Sequence, residues 1–188
     1  RACDIKRITD VVIARATVPG FSRLVPKTEL QGEANDYNLN LPRYIDATEP
    51  EDLHDLEAHL RGGVPAADVD ALHDYWRVFP TLRATLFEDE RPGYLRLRLP
   101  AADIKPAILG HAEFAAFSAR IGALFQAWRS EARPRLAAIA PGDHAKAVID
   151  ALSEALLERF RAAALLDPYA VYQHLMDYWA ETMQDDAY

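Results

Sequence analysis

The sequence predicts a mainly α-helical chain: an extended N-terminal arm over residues 1–48, then a helical bundle over 49–188 with at most a short strand pair. Three observations carry this prediction. Apolar residues recur at steps of three and four through most of the chain, the period of a helix with one buried face. Helix punctuation is frequent, with Pro19-Gly20, Gly62-Gly63 and Asp167-Pro168 at segment boundaries. Period-two alternation is confined to runs too short to build a sheet alone.

Taken in order, Asp4 to Ala16 places Ile5, Ile8, Val11 and Val12 at helical spacing, and Pro19-Gly20 ends the helix. Phe21 to Pro26 and Tyr37 to Leu41 alternate and predict extended backbone, so residues 17–48 read as an arm lying across another surface. Thr48 opens a helix with Glu51 as its capping-box partner and Leu53, Leu56 and Leu60 as its apolar stripe. A second helix is expected over Pro65–Arg77, and a third from Pro80 carrying Leu82, Leu86 and Phe87. Arg91-Pro92-Gly93 is a turn leading into the alternating strand Tyr94–Leu99, which needs a pairing partner.

From Ala101 the chain reads as helix to its end. A short helix to Leu109 contains Pro106, and a longer one runs from about His111 to Glu131 before Pro134 breaks or kinks it. In the long helix Phe114, Phe117, Ile121, Leu124 and Trp128 step by three and four, the spacing of a helix–helix seam. Asp143 caps the next helix, with Val148, Leu152, Leu156 and Phe160 on one face. Asp167-Pro168 starts the last, which aligns Tyr172, Leu175, Trp179 and Met183.

At 188 residues, half of them hydrophobic, the chain can bury roughly 70% of its unfolded surface, and its composition excludes disorder. Cys3 is the only cysteine, which excludes a disulfide framework and any zinc module needing two thiolates. A reducing, cytoplasmic setting is the expectation, because no membrane-spanning run and no leader peptide are present in the sequence. The net charge of −8 is unevenly spread. Residues 1–50 are neutral, 51–90 carry −7, 91–135 carry +5 and 136–188 carry −6. Such segregation fits solvated helix faces or partner steering. The basic stretch, including Arg129, Arg133 and Arg135, fits either phosphate contact or a charge match to the acidic 51–90 segment.

Sequence signatures of catalysis are missing. The six histidines show no metal-ligand spacing, and there is no Gly-x-Ser-x-Gly elbow, phosphate-binding loop or dinucleotide fingerprint. The least generic stretch is Asn35-Asp36-Tyr37-Asn38-Leu39-Asn40-Leu41-Pro42-Arg43-Tyr44. Three asparagines, two tyrosines and an arginine are costly to bury unpaired, so the segment runs in solvent or is held by specific polar contacts. Asn35 lacks the two following prolines of an amino-group methyltransferase motif, so it is not read as a catalytic site.

Val18 to Val25 together with Asn35 to Ile45 resembles the region just after the catalytic domain in the methylation subunit of type I restriction-modification systems. Ala58 to Pro65, Asp70 to Pro80 and Leu175 to Asp186 resemble the longer members of that family. The resemblance implies that residues 1–48 are the tail of a catalytic domain plus a polar arm. It implies a parent that methylates adenine N6 in DNA with S-adenosylmethionine, alongside a specificity subunit and a restriction subunit. The cofactor and catalytic motifs of that family lie upstream, so no catalytic, cofactor or metal residue transfers to this chain, which is expected to be no enzyme by itself. A start at Arg1 and an end at Tyr188 without a helix stop fit a C-terminal fragment. Candidate contacts to a partner or to DNA are Asn35, Asp36, Tyr37, Asn38, Asn40, Arg43, Tyr44, Arg129, Arg133 and Arg135. The alternative is a stand-alone helical protein–protein interaction module without methyltransferase ancestry.

Overall fold

The computed structural model describes residues 1–48, 54–140 and 144–183. Among these the chain is mainly α-helical, 62% helix with a small three-stranded antiparallel sheet. It divides into two compact units, Arg1–Leu53 and His54–Tyr188.

In the first unit, helix α1 spans Ala2–Ala14. It stops two residues earlier than its apolar pattern predicts, because Arg15 turns left-handed at φ 49° and caps the carbonyls of Val11 and Val12. Val18 and Ser22 then close a bridge around Pro19-Gly20, secured by the Ser22 hydroxyl donating to the Ala16 carbonyl at 2.9 Å. A single turn of helix, α2 (Lys27–Leu30), and a 3-10 turn at Leu41–Arg43 follow. The extended run expected from Tyr37 does not form. Asp36 and Tyr37 both adopt positive φ, 42° and 57°, and the Tyr37 N–H donates back to the Leu30 carbonyl at 2.8 Å. Local polar bonds here outweigh an alternation that has no neighbouring strand to satisfy it.

The second unit begins with α3 (Leu56–Arg61), capped by Asp55, whose carboxylate accepts from the Ala58 N–H at 2.9 Å. Glu51 and Leu53 of the predicted earlier start lie outside the described residues, and the Thr48 N–H instead donates to the Asp46 carboxylate. The expected stripe is not packed inward: Leu56 and Leu60 are 73% and 85% exposed. Next come β1 (Val64–Pro65), α4 (Ala66–Ala71) and α5 (His73–Val78). The single helix expected over 65–77 is split at Leu72, where ψ swings to 29°, and the Trp76 indole N–H takes the Val69 carbonyl. Helix α6 (Leu82–Leu86) passes directly into strand β2 (Phe87–Arg91), which turns at Pro92-Gly93 into β3 (Tyr94–Leu97). Gly93 supplies the positive φ of 81° that this turn needs.

The sheet order is β1-β3-β2, with Val64 opposite Leu95 and Phe87 opposite Leu97. Phe87 therefore belongs to a strand, not to the end of a helix. Its partner is supplied from ten residues further along the chain, beyond the reach of local periodicity. The predicted strand at 94–99 finds its partners in β1 and β2, and shortens to four residues.

Helices α7 (Ala101–Leu109), α8 (Ala112–Ala137), α9 (Ala145–Phe160) and α10 (Pro168–Thr182) complete the unit. Pro106 is accommodated within α7, and α8 continues three residues past Pro134 rather than ending there. The Asp143 cap lies outside the described residues, and His144 occupies the N-cap position of α9. Asp167 caps α10 as its sequence predicts, accepting from the Tyr169 N–H at 2.9 Å.

The seam along α8 serves two cores. Phe114 and Phe117 stack about Phe79, at 5.9 and 5.5 Å between ring centres, above Leu82 and Leu86. Ile121, Leu124 and Trp128 join Leu152, Leu156, Phe160 and Trp179 in the α8–α9–α10 core. Each fully buried leucine there contributes roughly 1.5–3 kcal/mol. The Trp128 indole N–H, donating to the Leu152 carbonyl at 3.0 Å, pins α8 to α9.

Candidate functional site

Four features stand out in the two units: the polar loop, helix α1, the arginines of α8 and the ionic cluster beside the sheet. In the polar loop the candidate side chains bond chiefly to the loop's own backbone. Asn35 Nδ2 donates to the Glu29 carbonyl at 2.8 Å, and Arg43 Nη1 donates to the Ala34 carbonyl at 2.7 Å and to Asn35 Oδ1 at 3.3 Å. Asn38 Oδ1 accepts from the Asn40 N–H at 2.9 Å, while the Tyr44 hydroxyl donates to the Asn38 carbonyl. The structure thus brings Asn35, Asn38, Asn40, Arg43 and Tyr44 into one self-bonded knot, which explains why these polar types sit at these spacings. The knot leaves Tyr37, Leu39 and Leu41 pointing outward, each more than 60% exposed. Asp36 is also exposed.

Helix α1 carries the sharper anomaly. Ile5, Ile8 and Val12 form a stripe at the i, i+3, i+7 spacing of an apolar helix face, yet they are 69%, 53% and 68% exposed. On the opposite side lie Cys3, Lys6, Arg7 and Asp10. Cys3 is buried, and the Lys6–Asp10 pair, 2.7 Å apart, is only 19% and 22% exposed. Arg7 stacks over the Phe21 ring at 4.5 Å. The ionic face is covered and the aliphatic face is bare, the inverse of an ordinary surface helix. The sequence showed the stripe, but its outward orientation is a tertiary property.

The three candidate arginines of α8, Arg129, Arg133 and Arg135, are all exposed, and none forms an ion pair with the described residues. They do not share one face. At about 100° per residue, Arg133 lies about 40° from Arg129, whereas Arg135 is turned away from both by more than 100°. The remaining basic residues of the 91–135 stretch are largely spent internally. Arg96 and Arg98 pair with Glu88 at 2.6 and 3.5 Å, and Arg91 approaches Glu57 and Glu90 at 3.9 and 4.0 Å. For the hairpin arginines, the charge match to the acidic 51–90 segment is what the fold uses.

Arg91 also belongs to a cluster that the sequence reading did not anticipate. Its guanidinium lies 3.6 Å from the Tyr94 ring centre and donates to the Gly62 carbonyl at 2.8 Å. Tyr94 in turn donates to Asp55 Oδ2 at 2.9 Å. The Ala58 N–H, then the Tyr94 hydroxyl, hold the Asp55 carboxyl below its ordinary range, with Arg91 adding a smaller attraction. The same bond raises the Tyr94 hydroxyl. Gly63, at φ +87°, packs so closely that a Cβ would fall 2.6 Å from Glu90 Oε2 and 2.9 Å from Arg91 Nη1. The cluster staples α3 to the sheet through the Tyr94–Asp55 and Arg91–Gly62 bonds.

Among the described residues no group of three or more acidic, histidine or cysteine side chains is arranged to hold a metal ion, and no helix is long and apolar enough to cross a membrane. No protein-family model, curated protein or solved structure matches this chain.

Proposed function

We propose that the chain is an assembly region of a larger DNA-modifying enzyme. In this reading it is the C-terminal, post-catalytic part of a type I restriction-modification methylation subunit, docking onto the specificity subunit. The observation that carries the docking role is the bare Ile5–Ile8–Val12 stripe of α1. A helix with its ionic face covered and its aliphatic face in water gains free energy when a second apolar surface meets it. The exposed Leu39 and Leu41, held outward by the self-bonded knot, extend the apolar area available within the same unit. The resemblance of Val18–Val25 and Asn35–Ile45 to the post-catalytic region supports the choice of parent. That parent would supply the S-adenosylmethionine site, methylate adenine N6 and assemble further with the restriction subunit and DNA. On α8, direct DNA contact would draw on Arg129 and Arg133, which share a side of the helix, rather than on Arg135.

The test is co-purification of the chain with the specificity subunit encoded beside its parent. The triple variant Ile5→Asp, Ile8→Asp, Val12→Asp should abolish capture while leaving helix content unchanged. Capture at wild-type strength by the triple variant would refute docking through α1. The rival interaction module predicts the same exposed stripe but no affinity of the wild-type chain for a specificity subunit, so failure of wild-type capture selects against the methylation-subunit reading.

A further inference from the structure

Between α8, α9 and α10 lies a cleft of about 420 Å³ that the assembly reading does not use. Its walls are Trp128, Leu152, Leu156, Val171, Leu175 and Trp179, with Phe125 and Tyr178 at the mouth. The volume falls within the roughly 300–1,000 Å³ typical of small-molecule sites. Its polar side chains are few. Arg129, His174 and Tyr178 contribute to the lining, and no carboxylate does. Neither Arg129 nor His174 forms an ion pair with the described residues, so the fixed positive charge of Arg129 has no acidic partner there. An apolar trough with one guanidinium at its edge, and no acidic partner for it among the described residues, is complementary to a molecule with an apolar body and one anionic group.

We infer that this cleft is a binding site for a small amphipathic carboxylate of the medium-chain acyl class. The acyl chain lies against Trp128, Leu156 and Trp179, and the carboxylate is held by Arg129. A planar, permanently charged guanidinium suits a carboxylate, since it offers two parallel N–H donors. Arg133, one turn further along α8, adds positive potential on the same side. A neutral chain of equal length should be retained less well, because it leaves Arg129 without its counter-charge.

The experiment uses the intact chain with decanoate and decanol below their aggregation limits, read by intrinsic fluorescence. Trp128 and Trp179 line the cleft and Trp76 does not, so ligand entry changes the emission of two of the three tryptophans. Decanoate should bind saturably, and decanol about 10-fold or more weaker, the lower end of what a charge-assisted bond contributes. Arg129→Gln should bring decanoate to the level of decanol without altering decanol binding. Val171→Phe, which fills the cleft, should weaken both. The α1 triple variant should bind decanoate normally, so failure here and failure of the docking role are separately visible. Absence of a saturable signal, equal binding of acid and alcohol, or binding unaffected by either cleft variant would overturn the proposal. Val171→Phe counts only with a retained thermal transition, and Leu175→Phe serves as its replacement if that variant does not fold.

Discussion

The inverted packing of α1 makes a prediction in which one chemical change has opposite consequences at two places. Truncating Ile5, Ile8 and Val12 to alanine removes aliphatic groups that the folded chain leaves mostly in water. Full burial of such a side chain is worth roughly 1.5–3 kcal/mol, and exposures of 53–69% mean that less than half of this is realised. The gain in helix propensity on going to alanine, up to about 0.7 kcal/mol per residue, opposes the remainder. Each α1 truncation should therefore shift stability by no more than about 0.5 kcal/mol, and in either direction. Leu152→Ala, at a position 2% exposed within the α8–α9–α10 core, should instead cost about 2–5 kcal/mol. Thermal unfolding followed by far-ultraviolet circular dichroism separates the two cases. At about 2–4 °C per kcal/mol for a chain of this length, Leu152→Ala should lower Tm by of order 10 °C. Each single alanine variant should leave every transition within about 2 °C of wild type and the triple variant within about 6 °C, and hydrogen exchange along α1 should remain as slow as before. A loss for the triple variant as large as that for Leu152→Ala would show that the stripe is an internal contact, and the argument for docking through α1 would fall with it.

Two further predictions concern the cluster beside the sheet. Because the folded state holds the Asp55 carboxyl below its ordinary value of 3.8, its contribution is fully present above that pH and is lost as pH falls through the lower folded value. Asp55→Asn can keep the cap through its amide oxygen while its NH2 faces Tyr94 as a donor, and it removes the titrating carboxyl; urea midpoints measured between pH 2 and 6 should show a shallower acid limb for the variant, and identical limbs would contradict the assignment. Gly63→Ala places a Cβ against Glu90 and Arg91 at positive φ, and should destabilise by more than about 1 kcal/mol, whereas Gly62→Ala meets only the positive-φ cost with open space around it. Equal urea midpoints for the two variants would show that Glu90 and Arg91 move aside freely.

Much of the helical unit was legible because its signals are local. Asp167-Pro168 starts α10 through a cap and a pre-set φ that depend on no distant residue, and Tyr172, Leu175 and Trp179 follow at the helical period. The turn at Pro92-Gly93 was legible for the same reason. What escaped was set by pairing across the chain. Phe87 carries the apolar character of a helix end and becomes a strand only because Leu97 lies opposite it. The break at Leu72 likewise accompanies a bond from Trp76 back to Val69, which no periodicity announces.

The sequence by itself determined which residues are apolar, where helices can start and stop, and that the Asn35–Tyr44 stretch must either run in solvent or be held by specific polar contacts. Tertiary structure decided which way those faces point. The isoleucines of α1 have the spacing of a buried stripe, yet the covered side of that helix is the one holding Lys6 and Asp10. The cleft is likewise formed by residues from distant parts of the chain, on α8 and α10, brought together with α9. Spacing along one helix specifies a face but carries no information about what meets it. The partner surface is assembled from distant parts of the chain, or from another molecule, and burial is a property of that meeting.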